Sequence, residues 1–169
     1  SSVEHPSCVA RGHKGPTRNE LWRFVDTCPR GRDQGDPESG RPPAYTFWMR
    51  LRPEFDQSVS MAGSVSLRIG SEEDLKLYMG HIGYGVFPPA RGRHLSERAC
   101  RLLLPLARRH GMQEIWITCN PDNVASRRTC ERLGAELVET VILPERHPLR
   151  MRGDTMKCRY RLELGADCR

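Results

Sequence analysis

Residues 86–96 read Val86-Phe-Pro-Pro-Ala-Arg-Gly-Arg-His-Leu-Ser96, and this stretch joins a strand pattern to a helix pattern. The prolines end the strand, and an amphipathic helix follows the basic turn. The first N–H groups of a helix have no partner inside it, and its dipole adds about half a positive charge there. Arg91 and Arg93 add full charges nearby. The stretch predicts a diphosphate site, although a basic loop that only caps the helix fits the local pattern as well.

Periodic patterns on both sides of this stretch predict the rest of the fold. Alternating apolar residues indicate strands at 21–25, 45–51, 64–69, 81–87, 114–119, 136–143 and 157–164. An apolar stripe indicates a first helix that ends at Gly111, with a kink at Pro105. A second helix is expected over 123–133, capped by Asp122 or Asn123 and ended by Gly134. This order predicts an α/β (α+β) fold with a mixed, mostly antiparallel central sheet of about seven strands and a central strand–helix–strand unit.

The 169 residues are enough for one domain. Residues 1–43 are rich in proline, glycine and charge, so we expect an irregular N-terminal arm with one short strand. The compact domain is predicted over 44–164, and 165–169 form a C-terminal tail.

Charge and cysteine content exclude several classes of protein. Lys and Arg number 27 against 21 Asp and Glu, which gives a net charge of +6. No run of about 18 apolar residues predicts a membrane span, and no export signal is visible, so we expect a cytoplasmic protein. The seven cysteines form no C-x-x-C pair and fit no zinc spacing, which predicts small, buried residues and no metal site. Six arginines and one acid between residues 91 and 110 form a local basic patch.

Residues 81–135 resemble the GNAT acetyltransferase family. That family places R/Q-x-x-G-x-G/A between a strand and a helix, where this chain has Arg91-Gly-Arg-His-Leu-Ser96. It also carries Asn-x-x-Ala/Ser on a second helix that ends in glycine, where this chain has Asn123, Ser126 and Gly134. The resemblance in element order extends over 44–164. His94 and Ser96 depart from the pattern, and the imidazole of His94 either crowds a diphosphate or adds a donor to it.

The resemblance implies acetyl-CoA as the acyl donor and assigns residues to it. The backbone of Val86, Phe87 and Pro88 would pair with the pantetheine arm. The turn formed by Arg91, Gly92, Arg93, His94, Leu95 and Ser96 would hold the pyrophosphate. Asn123 and Ser126 would line the far side of the cofactor. Arg101, Arg108 and Arg109 suit the remaining phosphate or form a solvated basic face.

The resemblance also implies direct attack of a primary amine on the thioester. An alkylammonium has a pKa of about 10.4, so its deprotonation at pH 7 costs about 4.6 kcal/mol and a base assists it. His81 stands where many relatives have a glutamate, although a structural histidine bonded inside the strand fits equally. Glu72, Glu73 and Asp74 are secondary candidates for the base.

The thiolate leaving group needs a proton, and relatives often supply it from a tyrosine on the second helix. Cys130 occupies that position, where a buried, inert cysteine is the alternative. Tyr84 and Tyr78 are phenols that could substitute for it. We expect His147, in the last loop, to lie at the surface.

The acceptor and the function leave alternatives open. Residues 26–43 are too rich in proline and glycine for the two helices that the family usually has there, so the N-terminal helices are reduced. The acceptor site is then open or completed by another subunit, as in a homodimer. The resemblance implies N-acetylation of a small molecule or peptide. The alternatives are a non-catalytic acyl-CoA-binding module and a basic nucleic-acid-binding protein. The scarcity of aromatic residues among the arginines argues against the second, so no nucleic-acid partner is expected.

Overall fold

The structure is a computed structural model that describes residues 42–51 and 61–165, together with the backbone of residues 20–25. These ranges contain seven strands: β1 (Glu20–Val25), β2 (Ala44–Leu51), β3 (Met61–Arg68), β4 (Ile82–Val86), β5 (Glu114–Cys119), β6 (Glu136–Ile142) and β7 (Met156–Glu163). They also contain three α-helices: α1 (Leu95–Arg109), α2 (Val124–Leu133) and α3 (Pro148–Met151). Single helical turns cover Leu75–Met79 and Pro88–Ala90.

The seven strands divide between two antiparallel sheets, so the prediction of one central sheet is wrong in this detail. One sheet has the order β1-β2-β3-β4 and the other β5-β7-β6. The strands β4 and β5, which α1 connects, form the boundary between the two sheets. The His81 N–H donates to the Trp116 carbonyl at 2.7 Å where β4 begins, but the two strands belong to different sheets and form no ladder further along.

The predicted helices are present with their predicted signals. Helix α1 continues through Pro105 and buries Leu95, Ala99, Leu103 and Leu106 from the predicted stripe. The Asn123 side chain caps α2 by accepting from the Ser126 N–H, and Gly134 ends the helix with a φ of 82°. A left-handed φ of this kind suits glycine because it has no Cβ.

The loop between β6 and β7 is more ordered than its charge pattern predicts. It contains α3, which begins at Pro148, and the His147 Nδ1 accepts from the Leu149 N–H at 3.1 Å. Proline at the first helical position has no N–H to satisfy, so its fixed φ favours this start.

The core lies between α1, α2 and the inner faces of both sheets. Tyr160, Leu67, Ile115 and Ile117 are fully buried, and α1 packs against β3, β4 and α2. Because α1 and α2 lie on the same side of the sheets, their N-termini are held beside the boundary between β4 and β5.

The predicted domain limits at residues 44 and 164 stay predictions. Residues 1–19, 26–41 and 166–169 lie outside the described residues. The predicted reduction of the N-terminal helices falls on these residues as well. Strand β1 itself pairs with β2 from Glu20↔Leu51 to Val25↔Thr46, so this part of the arm belongs to a sheet. No helix in the described ranges is long and apolar enough to cross a membrane.

Candidate functional site

Strands β4 and β5 enclose an opening, which we call the strand gap, bordered by Ile82, Tyr84 and Val86 on β4 and by Thr118 and Cys119 on β5. Two bonds fix the pairing of β4 with β3: Arg68 N–H to the His81 carbonyl and Phe87 N–H to the Ala62 carbonyl. Residues of an antiparallel ladder alternate in the direction of their backbone groups. The N–H and C=O groups of the three β4 residues therefore point away from β3, into the gap.

The basic turn, residues 91–96, forms one wall of a cavity of about 440 Å³ beside the strand gap. The structure brings together nearly all the residues predicted to hold the cofactor, since this cavity is lined by Val86, Arg91, Gly92, Arg93, His94, Leu95, Ser96, Asn123 and Ser126. The Arg91 Nε donates to the Val86 carbonyl at 3.0 Å, which holds the turn against the strand end. Phe87 and Pro88 are exposed and outside the lining described for this cavity.

The turn reaches the helix through two left-handed residues. Gly92 has a φ of 79° and His94, the N-cap of α1, has φ 55° and ψ 27°. Histidine at this position accepts a conformation that glycine adopts without strain. The His94 ring is exposed and lines the cavity, so it faces the space where the sequence predicts a diphosphate.

We expect His94→Gly and His94→Ala to bind acetyl-CoA about fivefold more tightly than the wild type, which corresponds to about 1 kcal/mol, because both remove the ring from the cavity. Only His94→Gly also relieves the strain of the left-handed backbone. The free energy of unfolding of His94→Gly should therefore exceed that of His94→Ala by about 1 kcal/mol. Calorimetric titration and thermal melting measure the two effects. Unchanged affinity in both variants would show that the ring does not crowd the ligand.

A second cavity of about 220 Å³ occupies the strand gap and shares Tyr84, Asn123 and Ser126 with the first. Two cationic residues, Arg68 and Lys157, belong to its lining, and no Asp, Glu or His is found among the described lining residues. The two cavities therefore lie side by side, one at the helix N-terminus and the other between the strands, with Tyr84, Asn123 and Ser126 at their common wall.

The Lys157 charge is neutralised within a closed polar network. Its Nζ donates to Asn120 Oδ1 at 2.6 Å and to Asp154 Oδ2 at 2.7 Å, and Asn120 Nδ2 donates to Asp154 Oδ1 at 2.6 Å. The Lys157 ammonium lowers the pKa of the Asp154 carboxyl below its usual range. The carboxylate therefore stays ionised and bound to this lysine.

His81 does not have the geometry of a general base. Its side chain is 1% exposed, Nδ1 accepts from the Trp116 N–H at 2.9 Å, and Nε2 lies 3.1 Å from the Gly70 carbonyl. A carbonyl only accepts, so Nε2 carries the hydrogen, and no ring lone pair is left for a substrate proton. Burial lowers the pKa of His81, which favours the neutral ring. The geometry supports the structural alternative and argues against the catalytic one.

Tyr84, one of the phenols predicted as a substitute proton donor, reaches from β4 to α2. Its hydroxyl is 2.8 Å from Ser126 Oγ, and the residue lines both cavities. Burial raises the pKa of Tyr84 above its usual range, so the phenol keeps its proton at neutral pH.

Cys130, in contrast, is fully buried and outside the lining described for either cavity. Its thiol shares a hydrogen bond with Cys119, which does line the gap, and this bond lowers the pKa of Cys119 to about 7. The same bond, with burial, raises the pKa of Cys130. The arrangement places Cys119, and not Cys130, at the wall of the gap.

The other predicted residues lie away from the gap. Glu72, Glu73 and Asp74 are exposed, and Asp74 Oδ1 is 2.9 Å from His147 Nε2. The His147 side chain is only 8% exposed, so the prediction that it lies at the surface is wrong. Its ring packs against the Tyr78 ring, with 4.8 Å between the two ring centroids.

Two arginines of α1 bond to backbone instead of facing the cavity. Arg101 donates to Glu97 and to the Arg132 carbonyl, and Arg108 donates to the Leu164 carbonyl at 2.7 Å. These hydrogen bonds lie outside the two cavities. They therefore hold Arg101 and Arg108 away from the candidate phosphate site.

Sequence reasoning missed Arg68 and Cys119. Arg68 ends an ordinary alternating strand, and Cys119 is one of seven cysteines without a spacing motif. Only the order of the strands brings both to the gap. No group of three His, Cys, Asp or Glu residues that could hold a metal occurs within the part of the chain described.

Solved structures share the fold of this chain. The microcin C7 self-immunity acetyltransferase MccE, in complex with acetyl-CoA and AMP, has a TM-score of 0.53 and 22% identity over 71% of this chain and 61% of its own. RimL, the ribosomal L7/L12 α-N-protein acetyltransferase, in complex with coenzyme A, has a TM-score of 0.55 and 21% identity over 73% and 64%. The ribosomal-protein-S5-alanine acetyltransferase from Vibrio fischeri has a TM-score of 0.55 and 17% identity over 71% and 61%. The chain thus spans about three fifths of the length of these proteins.

No curated protein matches the chain. The model of the acetyltransferase (GNAT) domain, however, matches residues 3–136, which is well over half of the 169 residues. The strand–helix–strand unit, the basic turn and the capped second helix all lie within this match. The chain therefore belongs to the GNAT acetyltransferase domain family.

Proposed function

We propose that this protein is an acetyl-CoA-dependent N-acetyltransferase that moves the acetyl group directly to a primary amine. The observation that carries the proposal is the adjacency of the two cavities, which share Tyr84, Asn123 and Ser126. One cavity offers helix N–H groups and arginines to a diphosphate, and the other offers strand N–H groups to a thioester. Membership of the GNAT family favours the same activity.

The residues of the first cavity fit the phosphate end of acetyl-CoA. The N-terminus of α1 opens on this cavity, and Arg91 and Arg93 line it beside those donors. Ser96 and Asn123 complete the polar wall. Its volume of about 440 Å³ lies in the range of ordinary small-molecule sites. The pantetheine arm would then run along the backbone groups of Val86 and Tyr84 that face the strand gap.

The chemistry follows from the groups that face the gap. The amine nitrogen attacks the thioester carbon, a C–N bond forms, and the N–H groups of β4 can hydrogen-bond the developing oxyanion. The C–S bond then breaks, and we assign the proton for the thiolate to the Tyr84 hydroxyl, which regains one from solvent. With His81 engaged in the fold, two protons pass to water at the open mouth of the gap: one from the substrate ammonium before attack, and one from the same nitrogen after the C–N bond has formed.

A ligand titration followed by turnover tests the proposal. We expect acetyl-CoA at a hundredfold excess over its dissociation constant to stabilise the fold by about 2.7 kcal/mol. For a domain of this size the melting temperature should rise by roughly 5–10 °C. S-acetylpantetheine, which lacks the diphosphate, is the matched control and should give no shift at the same concentration.

Turnover separates a transferase from a binding module. Release of the coenzyme A thiol is measured with a panel of primary amines. A shift with acetyl-CoA but no thiol release with any amine would contradict the transferase proposal and favour the non-catalytic module. A homodimer, the identity of the acceptor and a cytoplasmic location stay predictions.

A further inference from the structure

We propose that Arg68 is an anion-recognition residue of the acceptor site, and that the acceptor carries a carboxylate or phosphate group close to its amine. This inference rests on the proposed function, since it names the substrate class of the same site. It follows from the position of Arg68 in the strand gap and from the groups that surround its guanidinium.

Arg68 lies against the backbone of β4. It is the last residue of β3, and its side chain lines the strand-gap cavity beside Gly83 and Tyr84. A Cβ built on Gly83 would lie 3.1 Å from Nη2 and 3.2 Å from Nη1 of Arg68. The guanidinium therefore packs where Gly83 lacks a side chain, next to the strand that would polarise the thioester.

The charge of Arg68 has no carboxylate partner among the described residues. Its Nη1 donates to the Gly80 carbonyl at 3.1 Å, whereas a guanidinium has five N–H donors. Burial lowers the pKa of Arg68, because low-dielectric surroundings oppose its charge. In the same cavity the Lys157 Nζ lies 2.7 Å from Asp154 Oδ2, so the charge of Lys157 is paired with a carboxylate and that of Arg68 is not. Arg68 is the one whose remaining donors are available to an incoming anion.

An anionic acceptor resolves this imbalance. A carboxylate or phosphate can accept two parallel N–H bonds from a guanidinium, which fixes the direction of the molecule as well as its position. A neighbouring cation also lowers the pKa of a bound ammonium, which eases its deprotonation where no base lines the described wall. A polyamine without an anion would instead meet only repulsion.

Matched pairs of acceptors test the inference. Free L-amino acids are compared with their amides, and phosphoethanolamine with ethanolamine, by coenzyme A release. We expect kcat/KM for the carboxylate or the phosphate member to exceed that for its neutral partner at least tenfold. The amine of an amino-acid amide is less basic than that of the free amino acid, so a larger fraction of it is neutral and able to attack. A preference for the free acids would therefore not arise from the protonation state of the amine. The two pairs distinguish a carboxylate-bearing from a phosphate-bearing acceptor.

Variants of Arg68 assign the preference to this residue. Arg68→Gln should reduce the ratio between paired acceptors to about one, mainly through KM, and Arg68→Lys should retain an intermediate ratio. Arg132→Gln, at an exposed position near the end of α2, is the matched control and should keep the wild-type ratio. If Arg68→Gln does not fold, the inference is still tested by two measurements: the ratio between paired acceptors in the wild type, and a lower ratio in Arg68→Lys.

Equal turnover of both members of each pair would overturn the inference and leave the proposed function standing. An acid preference that Arg68→Gln and Arg68→Lys both keep would also overturn it, since another residue would then bind the anion. No turnover with any amine would overturn the proposed function, and the inference with it.

Discussion

Ser96→Glu is expected to weaken acetyl-CoA binding about 100-fold while the protein stays folded. Ser96 lies in the first turn of α1 and lines the cavity of the basic turn. A carboxylate placed about 6 Å from one diphosphate charge, at an effective dielectric constant of about 20, opposes binding by about 2.8 kcal/mol. This free energy corresponds to about a factor of 100 in the dissociation constant.

The fold should tolerate this charge because acidic residues stabilise the first turn of a helix. The effect is about 0.3–1 kcal/mol for an exposed group. Glu97 already occupies the same turn, and the Ser96 hydroxyl makes only a 3.4 Å contact with Thr129 Oγ1. The melting temperature without ligand should therefore equal or slightly exceed that of the wild type.

Ser96→Gln is the matched control, since it has the size of glutamate without the charge. Calorimetric titration of acetyl-CoA should show a loss of less than about tenfold for Ser96→Gln. Equal losses for the two variants would mean that crowding, and not charge, weakens binding. Wild-type affinity in Ser96→Glu would show that the diphosphate does not lie at this helix end.

Local signals in the sequence were sufficient for α1, α2 and the strands, but not for the short helix α3. The stripe from Leu95 to Leu106 defines α1, and Asn123 and Gly134 define the ends of α2 because capping and left-handed termination depend on neighbouring residues only. The basic turn was found for the same reason. Its residues are contiguous, so their convergence on one cavity needs no long-range information.

The division into two sheets depends on contacts that no local pattern encodes. The strands β4 and β5 are 28 residues apart at their nearest ends, and both have the composition of sheet strands. Whether two such strands pair along their length or separate depends on tertiary packing, in which α1 contacts β4 and α2 contacts β5. The prediction of a single sheet was wrong at this boundary, where the strand gap and the candidate site also lie.

The candidate site divides in the same way. The residues assigned to the diphosphate were predicted from one stretch, whereas Arg68 and Cys119 reach the gap only through the register of β3 with β4 and the position of β5. His81 was placed on the correct strand, but the direction of its side chain could not be read from the sequence. A strand histidine has the same local pattern whether it faces solvent or packs into the neighbouring strand.

His81→Ala is expected to destabilise the fold by about 3 kcal/mol. The change opens a cavity at a buried site and leaves the Trp116 N–H and the Gly70 carbonyl without the partners that His81 gives them. For a domain of this size, thermal melting should record a decrease of roughly 6–12 °C. His81→Asn, whose Oδ1 can replace Nδ1 as the acceptor for Trp116, should lose less stability than His81→Ala.

The pH dependence of unfolding gives a second measurement of the same residue. The pKa of His81 is lower in the folded protein than its usual value of about 6.5, so the unfolded chain binds the proton more readily below that pH. The wild type should lose stability as the pH falls below about 6.5, by up to about 1.4 kcal/mol per pH unit, until the lowered pKa is reached. His81→Asn should lack this contribution, and the difference between the two denaturation curves isolates it from other titrating groups.

Turnover distinguishes this structural role from general-base catalysis. At a temperature where the variants remain folded, kcat of His81→Asn should stay within about threefold of the wild type, because neither ring nitrogen is free to accept a substrate proton. A loss of kcat of about 100-fold or more, with a wild-type melting temperature, would instead assign the base to His81. The imidazole would then have to leave Gly70 or Trp116 during catalysis.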